Sequence, residues 1–182
     1  MNKSSKVAKN YAQALVELAS DDIQLQEKFL SEVTEVANAL NNLKDAKKIL
    51  ENPGISKEEK KKFIETLRRS VSKTIMDFLY LLIDNHRFNL LPEIQNFLNK
   101  LVNKKKGIVI AEVSSTKELD LSTINMIVET LWRSVSTGDV KEIKIDQRVD
   151  PLLVGGIKVK INDLVYDGTI KGRLENLKRR LG

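Results

Sequence analysis

The 182-residue chain contains no cysteine and a single histidine, His86. Without cysteine it can form no disulfide, no thiolate nucleophile and no cysteine-ligated zinc site. His86 has no second histidine beside which to bind a metal, and the carboxylates are dispersed among lysines rather than paired as acid and base. The sequence therefore predicts no catalytic residue, no metal and no cofactor.

Long apolar runs are also missing. The most apolar run covers residues 78–83, whereas a membrane-spanning helix needs about 20 apolar residues. The basic start, residues 1–6, leads into an amphipathic helical pattern instead of the apolar core of a signal peptide. We therefore expect a protein that is not exported and that reaches a membrane only through a partner.

The net charge is +6, from 31 Lys and Arg against 25 Asp and Glu, with the excess in residues 57–73, 104–106 and 171–180. Basic faces of this kind can bind nucleic acid or an acidic partner, or they can simply be exposed to solvent. Aromatic residues make up only 5% of the chain, which is unlike a platform for single-stranded RNA. A basic nucleic-acid-associated protein remains an alternative, and an enzyme is a third and weaker one.

Residues 7–102 have helical periodicity with closely spaced breaks, which predicts a bundle of short antiparallel helices. The pair Asp21 and Asp22 offers a candidate N-cap, and Ser56 with Glu59 forms a capping-box sequence. The segment 75–83 leaves almost no polar face. A helix of this kind is covered either entirely by its own bundle or partly by a partner, and periodicity leaves both possibilities open.

Periodicity changes from helical to strand-like after residues 103–107, which we interpret as a linker. A strand from residue 108, a helix capped by Asp120 and ended by Gly138, and a strand at 140–145 then follow. Next come a hairpin turning at residues 162–163 and a helix over 170–181. The predicted fold class is mainly α in two domains, a helical domain over 1–105 and a small α+β domain over 106–182.

Gly155 and Gly156 resemble part of a phosphate-binding loop, but such a loop opens a helix, whereas an alternating strand pattern follows here. We interpret the two glycines as backbone devices that allow a close approach or a bulge. Asp167, Gly168 and Thr169 similarly predict a turn that caps the last helix.

Three segments together resemble one family. They are VAKNYAQAL at residues 7–15, NHRFNLLP at 85–92, and a long C-terminal motif. That motif comprises Ile143 and Ile145, VD at 149–150, VGGI at 154–157, and DGTIKGRL at 167–174. In order and spacing they resemble the delta subunit of the rotary proton-translocating ATP synthase, the counterpart of the mitochondrial oligomycin-sensitivity-conferring protein.

The resemblance implies a six-helix N-terminal bundle, a smaller C-terminal domain, and a stator component with no catalysis of its own. It implies one copy per complex, on the cytoplasmic or stromal face of a bacterial plasma membrane or a thylakoid, with no direct contact to nucleic acid. It also implies that the first and fifth helices bind the N-terminal helix of an alpha subunit, and that the C-terminal domain meets the peripheral-stalk b subunits.

Carried over by position, the resemblance implies two sets of partner-binding residues. The groove for the alpha-subunit helix would be lined by Tyr11, Ala14, Leu15, Leu18, Phe78, Leu79, Leu82 and Ile83. The stalk contact would lie around Val154, Ile157, Val165 and Leu174.

Overall fold

The computed structural model describes residues 3–42, 44–135, 140–161 and 164–181. It divides the chain into two compact units, Met1–Lys105 and Lys106–Gly182. The described residues are mainly helical with one small four-stranded sheet, so the predicted coarse fold class is confirmed. Gly138 and the predicted turn at 162–163 lie outside the described residues.

The helices of the first unit begin at the polar residues that the sequence marks. Asp22 Oδ1 accepts a hydrogen bond from the Leu25 N–H at 3.1 Å, and both bonds of the capping box join Ser56 and Glu59. An N-cap of this kind stabilises a helix by about 1 kcal/mol. The elements are α1 (Lys3–Leu18), α2 (Ile23–Asn42), α3 (Lys44–Glu51), α4 (Lys57–Glu65), α5 (Lys73–Asp84), a 3₁₀ turn (Phe88–Leu90) and α6 (Leu91–Lys106).

Helix α5 supplies much of the core of the first unit. Within this helix, Leu81 is the exposed large apolar side chain, at 48%. The bundle therefore covers most of α5 itself, as expected for a helix that is apolar nearly all round. The buried side chains of α5 are Ile75, Met76, Phe78, Leu79, Leu82 and Ile83.

The predicted linker at 103–107 contains the boundary between the two units, but it is not a loop, because α6 continues through Lys106. Lysine is a good helix former, and cations near a helix C-terminus interact favourably with its dipole. Gly107, with φ of 73°, adopts the left-handed conformation that ends helices. Strand β1 (Ile108–Ser115) begins at the next residue.

The second unit has the predicted order of strand, helix, strand, hairpin and helix. Its elements after β1 are α7 (Leu121–Val135), β2 (Glu142–Val149), β3 (Ile157–Ile161), β4 (Leu164–Asp167) and α8 (Ile170–Leu181). The sheet order is β2-β1-β3-β4, with β1 parallel to β2 and antiparallel to β3, and β3 antiparallel to β4. Asp120 Oδ1 caps α7 by accepting from the Thr123 N–H at 2.9 Å.

Successive side chains along each strand point to opposite faces of the sheet. One face packs with α7 around a small core of buried residues, Ala111, Val113, Leu131, Val159 and Ile161. The strand positions between these carry charged side chains, among them Glu112, Lys158 and Lys160. The edge strand β4 differs from the inner strands, because all four of its residues are exposed.

Candidate partner-binding surfaces

Tyr11 connects α1 to α5 and to the segment that follows α5. Its ring meets the ring of Phe78 edge-to-face, with centroids 6.0 Å apart and planes at 73°. Arg87 Nη1 donates a hydrogen bond to Tyr11 Oη at 3.2 Å, and the guanidinium carbon lies 5.8 Å from the Tyr11 ring centroid. Aromatic pairing and a cation–π contact thus combine at one half-buried side chain.

Most of the predicted groove residues lie in the core of the first unit. At exposures of 0–7% they present almost no free surface, so their main contribution is to support the helices from within. These core residues are Leu15, Phe78, Leu79, Leu82 and Ile83.

The remaining three predicted groove residues lie on the outer side of α1. Ala14 and Leu18 are exposed, Leu18 at 65%, and Tyr11 is half-buried. Val7, also half-buried, precedes them at helical spacing. We call these four residues the α1 stripe. Leu81 is an exposed apolar residue that the sequence did not single out, because periodicity within a uniformly apolar run gives no sign of which residue faces solvent.

Polar contacts fix both ends of α5. At its start, the Glu32 carboxylate is 8% exposed and accepts from Ser72 N at 3.0 Å and from Ser72 Oγ at 2.6 Å. At its end, Lys57 Nζ donates to the Asp84 carbonyl and Lys61 Nζ to the Asp84 carboxylate, each at 2.8 Å. A carboxylate near the N-terminus and ammonium groups at the C-terminus both complement the helix dipole.

The turn after α5 directs Arg87 toward Tyr11. The Arg87 N–H donates to Leu82 O at 2.8 Å and the His86 N–H to Ile83 O at 3.0 Å, the two bonds of a Schellman motif. His86 occupies the left-handed position of this motif, with φ of 53°, where glycine is the usual residue. His86 thus ends α5 in a backbone conformation that glycine would adopt at lower cost.

In the second unit, three of the four predicted stalk residues are exposed apolar side chains. Val154 is 79% exposed, Leu174 61% and Val165 51%. The fourth, Ile157, is half-buried and packs against the core of the sheet. The sequence did not single out several other exposed apolar residues, because their spacing is equally compatible with a core position: Leu152, Leu164 and Ile170.

The glycine pair brings the start of β3 against the turn before α8. Ile170 N donates to Gly155 O at 3.1 Å. Gly156 has φ of 87°, and a Cβ there would lie 2.5 Å from Gly168 O. Only glycine fits so close an approach at this backbone angle, so the interpretation of the glycines as backbone devices is confirmed.

Thr169 caps α8, as the sequence predicted. Its Oγ1 accepts from Gly172 N at 3.0 Å, while its own N–H and hydroxyl donate to Asp167 Oδ1 at 2.9 and 2.6 Å. These two bonds hold the pKa of the Asp167 carboxyl below its ordinary value of 3.8. Hydrogen bonds among its own residues therefore hold the terminal motif in place, with exposed apolar residues around it.

Neither a membrane-spanning helix nor a metal-binding cluster is found among the residues that the structure describes. No helix there is both long enough and apolar enough to cross a bilayer. No cluster of three or more histidine, aspartate or glutamate side chains is placed there to hold a metal ion.

The family model described as ATP synthase delta (OSCP) subunit matches residues 7–181. The chain belongs to this family. Among curated relatives, ATP synthase subunit delta of Bacillus mycoides (strain KBAB4) is 37% identical over 175 residues, which cover 96% of this chain and 95% of the relative. The same subunit of Bacillus cytotoxicus is 35% identical with the same coverage.

A solved structure gives the fold independently. A chain in the cryo-EM structure of the Toxoplasma gondii mitochondrial ATP synthase hexamer superposes with a TM-score of 0.75 at 17% identity, covering 96% of each chain. As a delta-family member, the chain is a structural subunit of ATP synthase and acts in its stator.

Proposed function

We propose that the first unit is the six-helix bundle of the delta family and binds the N-terminal helix of an alpha subunit against the α1 stripe and Leu81. An amphipathic helix laid on an apolar surface is a common recognition mode, in which a few anchors contribute most of the affinity. The observation that carries the proposal is the exposure of Leu18 and Leu81 on the two helices joined by the Tyr11–Phe78 contact.

The second unit, in this proposal, binds the ends of the peripheral-stalk b subunits. Its exposed apolar residues support this assignment, since covering them with a partner would remove apolar surface from water. Val154, Val165 and Leu174 from the prediction, with Leu152 and Leu164, are the candidates for the contact. A chain bound at both units would hold the catalytic head against the torque of the rotor while carrying no active site of its own.

One such chain would serve each complex. The Bacillus relatives favour the cytoplasmic face of a bacterial plasma membrane over a thylakoid. The basic surface would then face acidic partners rather than nucleic acid, and the alpha-subunit contact, being apolar, should depend only weakly on salt.

Calorimetric titration of the full chain with the N-terminal peptide of the same cell's alpha subunit tests the first contact. Leu18→Asp and Leu81→Asp should each weaken binding by roughly 2 kcal/mol or more, because each places a charge in the apolar contact. Exposed residues are needed for this test, since Leu82 is fully buried and an aspartate there would disrupt the core.

Titration with a soluble b-subunit fragment tests the second contact, and each variant serves as the control for the other partner. Leu174→Asp should weaken b binding and leave the alpha peptide unaffected, whereas Leu18→Asp should do the opposite. Unchanged affinity of both exposed-leucine variants of the first unit for the alpha peptide would exclude the α1 stripe and Leu81 as its site.

A further inference from the structure

Arg87 is an exposed cation beside the α1 stripe that has no carboxylate partner among the residues that the structure describes. Its guanidinium donates from Nη1 to the neutral Tyr11 hydroxyl at 3.2 Å. The acidic residue nearest to it along the chain is Asp84, whose two carboxylate oxygens instead lie 2.7 and 2.8 Å from Lys61 Nζ. Because a guanidinium carries several N–H donors, most of those of Arg87 remain available to a bound partner.

Contacts on both sides of its chain hold Arg87 in position. The backbone is fixed at the end of α5 by the bond from the Arg87 N–H to Leu82 O at 2.8 Å. The side chain is fixed by the Tyr11 hydroxyl and by the Tyr11 ring, whose centroid is 5.8 Å from the guanidinium carbon. A side chain that is already oriented loses less conformational entropy when it binds. The planar guanidinium also matches a carboxylate with two parallel hydrogen bonds.

The charges along α1 make the Tyr11 end of the stripe the positive end. Lys6 precedes Tyr11, whereas Glu17, beside Leu18, is the first acidic residue of the sequence. Both charged side chains are exposed, and since they lie about three helical turns apart they share one flank of α1. With Arg87 at the Tyr11 end, a complementary helix would place an acidic residue there.

We propose that Arg87 is a specificity-determining residue of this surface and pairs with one carboxylate of the alpha-subunit N-terminal helix. The inference rests on the proposed alpha contact and adds a charge that the apolar stripe does not supply. An apolar stripe alone accepts an amphipathic helix in either direction, whereas an ion pair at one end selects a direction and disfavours a helix without an acidic residue there. One ion pair leaves the contact mainly apolar and its salt dependence weak.

Calorimetric titration of the full chain with the alpha N-terminal peptide tests this pairing as a double-mutant cycle across the interface. Peptide variants replace each aspartate or glutamate in turn by asparagine or glutamine. Arg87→Gln should weaken binding of the unmodified peptide roughly fivefold, the upper end for a charge pair that solvent still reaches. Neutralising one acidic position of the peptide should weaken its binding to wild type by a similar factor and should hardly change its binding to Arg87→Gln.

Arg69→Gln is the matched control, because Arg69 is exposed and precedes the start of α5, at the opposite end of that helix from Arg87. It should change the affinity by no more than about twofold. An equal loss in Arg69→Gln and Arg87→Gln would reduce the effect to net charge and overturn the pairing. An equal loss for every peptide would also overturn it, since that result traces the effect to the support that Arg87 gives Tyr11.

The exposed leucines distinguish failure of this inference from failure of the proposed alpha site. If Leu18→Asp and Leu81→Asp weaken binding while Arg87→Gln binds every peptide as wild type does, the site stands and the pairing is wrong. If neither leucine variant weakens binding, the site and the pairing both fall.

Discussion

Arg87 lies against Tyr11, donating to its hydroxyl at 3.2 Å with the guanidinium carbon 5.8 Å from the ring centroid. The Tyr11 ring also packs edge-to-face against the ring of Phe78. Because these three side chains belong to α1, α5 and the turn after α5, one aromatic ring ties together the elements beside the proposed alpha-subunit site.

The Arg87–Tyr11 contact should be measurable as a coupling energy. Tyr11→Leu and Arg87→Ala should each destabilise the first unit, and the double variant should lose less than their sum by about 0.5–1 kcal/mol, the range for an exposed cation–π contact. Urea unfolding of the four proteins gives the cycle. Strict additivity of the two losses would mean that the contact contributes nothing.

Glu32 should be important for the start of α5. Removing its carboxylate leaves the Ser72 N–H without its acceptor in a half-buried position, so Glu32→Ala should cost roughly 1–3 kcal/mol. Glu32→Gln keeps an acceptor and should cost less. Glu35→Ala on the same helix, whose carboxylate is exposed, should change the unfolding free energy by less than about 0.5 kcal/mol. A similar loss in both alanine variants would contradict this role.

His86→Gly should stabilise the first unit. His86 holds a left-handed backbone conformation that costs a non-glycine residue about 1–2 kcal/mol and costs glycine little. Thermal melting should therefore shift upward in the glycine variant. His86→Ala separates the causes, since it removes the imidazole but keeps the backbone penalty. An equal gain in His86→Ala would trace the effect to the side chain instead.

Gly156→Ala should destabilise the second unit by roughly 2 kcal/mol or more. The alanine would combine a left-handed backbone angle with a Cβ placed 2.5 Å from Gly168 O, and both cost energy. Hydrogen exchange should show faster exchange in β3 and α8 while α1–α6 keep their protection. Gly54→Ala is the control, because its Cβ would meet nothing closer than Asn52 Oδ1 at 3.3 Å. Unchanged exchange in β3 and α8 would show that the turn can rearrange.

Acid should weaken the cap of α8. Hydrogen bonds from Thr169 lower the pKa of the folded-state Asp167 carboxyl below 3.8, so its stabilising contribution is complete above the unfolded pKa. The contribution is then lost as the pH falls through the folded pKa. Asp167→Asn keeps an acceptor but does not titrate. Urea unfolding between about pH 6 and about pH 3 should therefore show a smaller loss in this variant than in wild type. Equal losses would mean that Asp167 does not contribute to the pH dependence.

Local chemistry made much of the fold predictable. The capping box at Ser56 and Glu59 and the cap at Thr169 depend on side chains within three residues of one another, and the alternation in β3 reflects a sheet with one buried face. The strand pattern that follows Gly155 and Gly156 led to their interpretation as backbone devices, and the close approach of Gly156 to the turn before α8 is a backbone requirement that the sequence shows directly as glycine.

The exposure of the predicted groove residues was harder to predict, because it depends on which side of a helix the core occupies. In α5 the run of apolar residues gives no contrast, so fully buried Leu82 and half-exposed Leu81 look alike in sequence. The helical conformation of the predicted linker was missed for a related reason. Lysines 104–106 suit a loop or a helix end equally, and the packing of α6 decides in favour of the helix.

The pairing of β1 has a consequence for the order of folding during synthesis. β1 pairs with β2, which follows it in the chain only after α7, and Ile108 lies opposite Glu142. β1 also pairs with β3, which comes still later in the chain, and Ala111 lies opposite Ile161. Non-local pairings of this kind form slowly, whereas helical bundles rich in local contacts form quickly. Residues 1–105 can therefore fold while the ribosome is still making the second unit, whose central strand must wait for β2 and β3.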